Sequence, residues 1–435
     1  MKSISATLAI SLACAAGCSV LKSNVPPPPV EQNLVLDAPI TAWADAIPLG
    51  NGLTGGLLWG EGNLMRLSLD RGDLWDERTT GEPEWWKKYP WSSPRSGPEW
   101  GKIWHQWNNN YNGPTPTKLP GGRLEITFPK AKKLSSFELK LAAAEGVATF
   151  TDQTQARTFF DATEPVAMMR FPGDADCTLR PAGTTGNAVN ASSMGAVTKL
   201  GYPAAEHGSD GSAKWFVQKT LSGLQYCVCL ETKRVGDETL MALSITSTSD
   251  LGPGQAGDVL ALARQRCAKA LANGYDAQFD KHTAWWREFW GKSSVTIPEA
   301  KLQRHYQFVR YLYGAGSRRN APPMPLQGVW TADNGGLPPW KGDYHNDLNT
   351  QTTYIAYYES GDFDAGLSYL DYLWDLRPTF QKFAKDFYGT DGLSTPGVMS
   401  FAGQPLGGWP QYSLSPTMTA WNAHLFYLHW LYTND

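Results

Sequence analysis

Between residues 31 and 250 apolar and polar positions alternate in short runs: GGLLWG, NLMRLSLD, GRLEITF, SFELKLA, VATFTD, PVAMMRF, KWFVQKTL, LQYCVCLETKR and LMALSITST. Each run is bounded by Gly, Pro, Asp or Ser, so the pattern predicts many short antiparallel strands and an amino-terminal β-sandwich over 31–250. After Gly252-Pro253-Gly254 the period changes. VLALARQRCAKALANG and AQFDKHTAWWREFWGK carry apolar residues three to four apart, which predicts a helical linker over 251–297 whose first helix ends at Gly274. The next helix is expected over 300–316, with Leu302, Tyr306, Val309 and Tyr313 on one side. Helical pattern returns at Tyr354 to Tyr358, twice within 363–388, and in a last run to Tyr432 with Ser415 as N-cap and Pro416 at the first position. Residues 75–119 show little periodicity but hold Trp85, Trp86, Trp91, Trp100, Trp104 and Trp107. Long irregular loops are usually functional, so this one is expected to lean over the helical region as an aromatic wall. Unchanged substrate affinity in Trp86→Ala or Trp91→Ala would count against that wall. The alternative is an insertion packed on its own sandwich.

Length makes the picture multidomain, because 435 residues exceed one ordinary core. A net charge of -3 with no basic run argues against a nucleic-acid binder. The 19 Trp and 18 Tyr favour a carbohydrate-handling surface. Met1-Lys2 and the apolar run over 4–16 read as a secretion signal, too short for a permanent membrane span. Ala15-Ala16-Gly17-Cys18 resembles a bacterial lipoprotein cleavage box, with Cys18 the lipidated residue; an ordinary cleavage site is the alternative. With residues 1–18 as leader, 19–30 form a spacer stiffened by Pro26 to Pro29. The expected location is the bacterial periplasm or the outer membrane, with membrane contact only through the lipid anchor. Cys177, Cys227, Cys229 and Cys267 fit no zinc spacing; Cys227 and Cys229 share a strand face, and one disulfide or buried free thiols both remain open. Gly50, Gly52, Gly55 and Gly56 precede neither GK[ST] nor a helix, so they read as a tight β-turn rather than a phosphate loop.

The densest chemistry lies in residues 327–351, QGVWTADNGGLPPWKGDYHNDLNTQ. Gly335-Gly336 and Pro338-Pro339 predict a shaped loop. Asp343, His345, Asp347 and Asn349 at alternate positions would share one face of an extended segment. Indole planes such as Trp330 and Trp340 cover the apolar face of a pyranose, while carboxylates and amides bind its hydroxyls or move protons. A well-satisfied turn between two helices is the plainer alternative.

Leu326-Gln-Gly-Val-Trp330, Pro338-Pro-Trp340 and the run from Asp343 to Gln351 resemble the LQGIW, PPW and DY-x-x-N-x-N-x-(Q/E) segments of glycoside hydrolase family 95, the α-L-fucosidase family. The stretch from Trp43 to Gly52 is similar to that family's opening W-x-x-A-x-P-x-G-N-G, and Asp70, Asp73, Leu74 and Trp75 fit its L-N-E-D-x-L-W run. Residues 420–434 resemble its AW…H-Y-x-(F/Y)-T helix. The resemblance implies an amino-terminal sandwich, a helical linker and an (α/α)6 toroid, here incomplete. From 298 to 435 there is room for about five helices at ordinary lengths, so the chain is expected to be partial. It also implies an inverting hydrolase that removes terminal α-L-fucosyl or a related sugar from oligosaccharides or polysaccharides, with no metal or organic cofactor. In the family an asparagine of the N-x-N pair takes the base role. Asn349 matches that pair, and Asp347 stands where its first asparagine normally is, so both are the catalytic candidates. The general acid is expected beyond Asp435. His345, Trp330, Trp340, Asp343 and Trp421 are the substrate-binding candidates, Asp343 chiefly by fixing the loop. Tyr358-Glu359 lies near the family's W-P-A-E site without its Trp-Pro pair. The rival readings are a carbohydrate-binding lipoprotein lacking catalysis and a glycoside phosphorylase of a related sandwich-plus-toroid family. A phosphorylase would need a basic, hydroxyl-rich phosphate pocket, and no such cluster stands out in the sequence.

Overall fold

The computed structural model describes residues 25–79, 84–186, 195–252 and 258–435. Cys18 with its leader, and Pro253-Gly254 of the linker, lie outside the described residues. The alternating runs form two antiparallel sheets facing each other. One has nine strands, in the order Leu34–Asp37, Leu134–Lys140, Glu145–Phe150, Gln155–Phe160, Ala167–Pro172, Glu238–Ser247, Gln225–Val235, Ala213–Lys219 and Glu206–Asp210. The other has five, in the order Asp176–Arg180, Gly122–Thr127, Leu64–Arg71, Thr54–Glu61 and Ile47–Gly50.

The nine-stranded sheet buries both of its faces. On Gln225–Val235, Tyr226, Val228 and Leu230 enter the core between the sheets, while Cys227 and Cys229 point the other way. That outer face is covered by linker helix Val259–Asn273, whose Ala263, Cys267, Ala270 and Leu271 complete a second core. All four of the cysteines from Cys177 onward are buried free thiols.

The helices, numbered in chain order, are α1 (Trp85–Lys88), α2 (Trp100–Asn112), α3 (Val259–Asn273), α4 (Tyr275–Gly291), α5 (Ala300–Gly316), α6 (Asn349–Ser360), α7 (Phe363–Asp375), α8 (Arg377–Phe383), α9 (Pro410–Ser413) and α10 (Met418–Thr433). Gly274 ends α3 in a left-handed conformation, its N–H donating to the Ala270 carbonyl. Helix α4 inserts Trp286, Phe289 and Trp290 into the sandwich core, joined there by Tyr311 and Ala315 of α5. The face of α5 that is buried is thus Arg310, Tyr311, Gly314 and Ala315; Leu302 is exposed and Tyr306, Val309 and Tyr313 are half-buried, so packing on the sandwich overrides the apolar stripe. From α5 onward the helices form the first part of a toroid, α6 packing on both α7 and α10. Helix α10 starts two residues later than expected: Ser415 accepts from Thr417 N–H instead of capping the helix, and Pro416 lies in a turn before it. Among the described residues no helix is long and apolar enough to cross a membrane.

The turn glycines sit where the two domains meet. Asn51 closes the hairpin between Ile47–Gly50 and Thr54–Glu61 by accepting from Leu53 and Thr54. Gly52, at φ +85°, donates its N–H to the Ala315 carbonyl at 2.7 Å. A Cβ on Gly55 would stand 2.5 Å from the Val329 carbonyl oxygen, and one on Gly50 2.7 Å from that of Ala315. Only backbone without side chains allows this approach.

His282 of α4 is the matching clasp from the linker. It is fully buried, accepts at Nδ1 from Ala162 N–H (3.1 Å) and donates from Nε2 to the Ala143 carbonyl (2.8 Å). Burial pushes its pKa down from 6.5 to about 4, with the Arg318 charge adding to the shift and the bonds around Ala143 opposing it. A depressed pKa gives stability that is present above pH 6.5 and lost as pH falls towards 4, because the unfolded chain takes the proton first. That window is worth about 3 kcal/mol at ~1.4 kcal/mol per pH unit. In denaturation measured from pH 7.5 to 4, the advantage of the wild type over His282→Gln is expected to shrink by that amount. Parallel curves would contradict it.

Candidate active site

The signature loop turns sharply at Trp340, Lys341 and Gly342, which take φ of 55°, 61° and 61°. Left-handed backbone at two non-glycine residues stores strain of order 1 kcal/mol each and tends to mark functional sites. The turn throws Trp340 outward, 42% exposed, and drives Lys341 inward to full burial. Burial lowers the Lys341 pKa to about 8, the Asp343 carboxylate opposing it, and its ammonium donates to the Gly113 carbonyl at 2.6 Å.

Asp343 follows, fully buried, and one of its oxygens bonds Nδ1 of His345. Burial raises the Asp343 pKa to about 6; the His345 bond and charge pull it down and Asp347 pushes it up. Burial works against the charged form of His345, but the Asp343 bond and the charges of Asp343 and Asp347 outweigh it and raise its pKa. The pair therefore holds a proton between carboxylate and imidazole. The ring is oriented through Nδ1, which leaves Nε2–H as a donor towards a ligand.

Tyr344–His345 pairs antiparallel with Val398–Met399, so the two side chains leave the ribbon on opposite faces. Tyr344 stacks on Trp75 within the core, at 6.2 Å between centroids. His345 meets the edge of Trp340 at 5.9 Å, and Trp340 in turn leans on Trp409 at 4.6 Å. Trp409 is 43% exposed.

The extended face expected for Asp343, His345, Asp347 and Asn349 stops after His345. Leu348 (φ -168°, ψ -55°) turns the chain directly into α6. Asn349, the first residue of that helix, is exposed. Asp347 is half-buried, with one carboxylate oxygen shielded from solvent and bonded to no protein group. Asn346, which alternation placed on the other side, is the loop's anchor. It is fully buried, donates from Nδ2 to Pro396 and accepts from the Tyr369 hydroxyl (2.6 Å). Gln351 ties the Asn346 carbonyl to Asn422 of α10.

Two binding candidates stand elsewhere. Trp330 is a strut between the domains: its Nε1–H donates to the Leu49 carbonyl (2.9 Å), and its ring packs on the sandwich core. Trp421 is half-buried on α10 beside Asn422, and no aromatic contact among the described residues ties it to the Trp340–Trp409 pair. Trp409 went unnoticed in the sequence, although GGWP repeats the logic of GGLPPW: flexible backbone presenting an indole.

The expected loop of 75–119 is partly helical. It does lie against the helical region, but Trp85, Trp86 and Trp107 are core residues packed on Phe383 and Phe387, and Trp91 rests on Phe387 and Tyr388. They hold the domains together rather than face a sugar. Among the described residues no group of three or more His, Cys, Asp or Glu is arranged to hold a metal ion.

Residues 294–435 match the family described as the glycosyl hydrolase family 95 catalytic domain. A curated relative, the "Probable alpha-fucosidase A" of Aspergillus niger, is 30% identical over 201 residues, covering 39% of this chain and 24% of that protein. The chain thus aligns with about a quarter of the length of that relative. The matched residues contain the strained turn, the Asp343–His345 pair, Asp347, Asn349 and helices α5 to α10, so the part of the chain that builds the candidate site is the part similar to the glycosyl hydrolase family 95 catalytic domain.

Proposed function

We propose that this protein is an exported glycoside hydrolase that removes terminal α-L-fucosyl or a closely related sugar from glycans, with inversion. One observation carries the reading most: a proton-holding His345 meets the half-exposed Trp340–Trp409 pair and feels the charge of Asp347, whose unpaired oxygen and the exposed Asn349 follow it at the turn into α6. In the proposed reaction a water attacks the anomeric carbon and gives its proton to the Asp347 carboxylate. Asn349 orients that water, and a protonated carboxyl group on the opposite face of the sugar hands its proton to the departing oxygen. His345 donates from Nε2 to a sugar hydroxyl, while Trp340 and Trp409 cover the apolar face of the ring. The name of the Aspergillus relative supports fucosyl as the sugar. The leader ending at Cys18 supports export.

The test is to incubate the intact protein with aryl α-L-fucoside and aryl α-L-galactoside and to follow the released sugar by proton NMR. The β anomer is expected to appear first. An α anomer appearing first would overturn inversion, and release that requires inorganic phosphate would make the protein a phosphorylase. Binding without release would leave a carbohydrate-binding protein.

A further inference from the structure

The wall of this site opposite His345 comes from the other domain. Helix α2, inserted between the Trp75–Asp76 and Thr117–Lys118 strands of the sandwich region, lies along the loop that presents Trp409. Gly408 N–H donates to the Trp107 carbonyl at 3.0 Å, and Trp409 N–H to Oδ1 of Asn108 at 3.3 Å. A Cβ on Gly408 would fall 2.6 Å from Cγ of Tyr111, so the glycine is what lets that ring come close. The Tyr111 ring stacks on Trp409 at 6.3 Å and 28°, and the buried Lys341 ammonium lies 5.3 Å from its centre. Tyr111 thus backs the Trp409–Trp340 pair and links it to the buried base of the signature loop.

Its hydroxyl is what packing does not explain. Tyr111 is 8% exposed, yet no protein group bonds its oxygen. Buried tyrosine hydroxyls normally find a partner, and phenylalanine would fill the same space without desolvating an O–H. The second oxygen of buried Asp343 is also without a protein partner, and its charge acts on the Tyr111 hydroxyl. The unpaired donor sits on a ring stacked against Trp409, and the unpaired acceptor belongs to the carboxylate that holds His345 against Trp340; together they suit an alcohol that accepts from one and donates to the other. A pyranose hydroxyl does both.

We propose that Tyr111 is a sugar-binding residue of this site: its hydroxyl donates to a hydroxyl oxygen of the bound glycosyl residue, whose own proton goes to Asp343, and its ring holds Trp409 as the platform beneath that residue. The sugar site is then built by both domains. The proposal rests on the glycosidase reading for the class of ligand and on the packing of α2 for the residue.

Calorimetric titration of the whole protein with L-fucose, L-galactose and D-glucose tests it. Tyr111→Phe is expected to weaken binding of the preferred sugar about three- to tenfold, the worth of one neutral hydrogen bond. Its melting temperature should hold or rise, whereas loss of a structural hydroxyl would lower it. Trp409→Ala, at an exposed position, is expected to weaken binding further. Wild-type affinity in Tyr111→Phe, or in Trp409→Ala, overturns the proposal. If the wild type prefers D-glucose and Tyr111→Phe weakens that binding, the role of Tyr111 stands and the fucosyl reading fails. A wild type that binds none of the three sugars overturns both.

Discussion

Asp347→Ala is expected to lower kcat about 10³- to 10⁴-fold on whichever aryl glycoside the protein cleaves, with KM changed far less. General-base assistance by a positioned carboxylate commonly contributes two to four powers of ten. Asp347 offers an oxygen that no protein group occupies, and it lies at the turn into α6, half-buried and away from the structural bonds that engage Asn346. Removing its carboxylate should therefore leave the fold intact, and the loss should fall on the chemical step. Asp347→Asn makes the experiment sharper, because it restores the asparagine found at this place in the family. If the carboxylate takes the proton directly, Asp347→Asn will be as impaired as Asp347→Ala. If Asn349 carries that role, Asp347→Asn will keep most of its activity and Asn349→Ala will lose it. An Asp347→Ala protein with more than a tenth of wild-type kcat would remove the residue from the mechanism.

The largest expected effect on stability lies at the seam between the domains. Asp333, on the signature loop, accepts from Arg123 Nε (2.7 Å) and Nη2 (2.9 Å) and from Ser68 Oγ (2.5 Å). Arg123 also donates to the carbonyls of Thr185 and Asp333, and its guanidinium lies 5.2 Å from the Trp59 ring. Both partners are buried. Asp333→Ala leaves a guanidinium desolvated without its counter-charge, a change that typically destabilises by 3–5 kcal/mol. Chemical denaturation should show that loss, and Arg123→Leu combined with Asp333→Ala should lose much less than the sum of the two single changes. A loss below about 1 kcal/mol in Asp333→Ala would mean that the pair is dispensable.

Most of the fold could be read from the sequence because local periodicity and burial agree across it. The strand runs and the helices α3, α4, α5, α7 and α8 lie where the alternating and three-to-four patterns put them, while α6 begins at Asn349, ahead of the start expected at Tyr354. Helix α2 was overlooked although its signal was present: Trp100, Ile103, Trp107 and Tyr111 recur at three, four and four residues, hidden by the Gly- and Pro-rich stretch before them. The site was legible in its membership but not in its geometry. Asp343 and His345 follow each other across one residue, and their pairing needs only a short extended segment. The turn at Leu348 that parts Asp347 and Asn349 from them depends on Asn346 and Gln351 binding side chains and backbone on α7, α10 and the 396–397 segment. Contacts over that separation leave no periodic trace. Trp330 misled for a related reason, since an indole that donates to a distant carbonyl reads in sequence like one that waits for a sugar.

The hairpin glycines reach beyond stability. Gly50 and Gly55 meet Val329 and Ala315 at distances where no side chain fits, and the partners are residues of the helical part. A single substitution on either side of such a contact has no room to be absorbed, so sequence drift in one domain is answerable to the other. Exchange of one half by recombination with a diverged copy would join surfaces that no longer nest. The two domains are bound to be inherited as one unit.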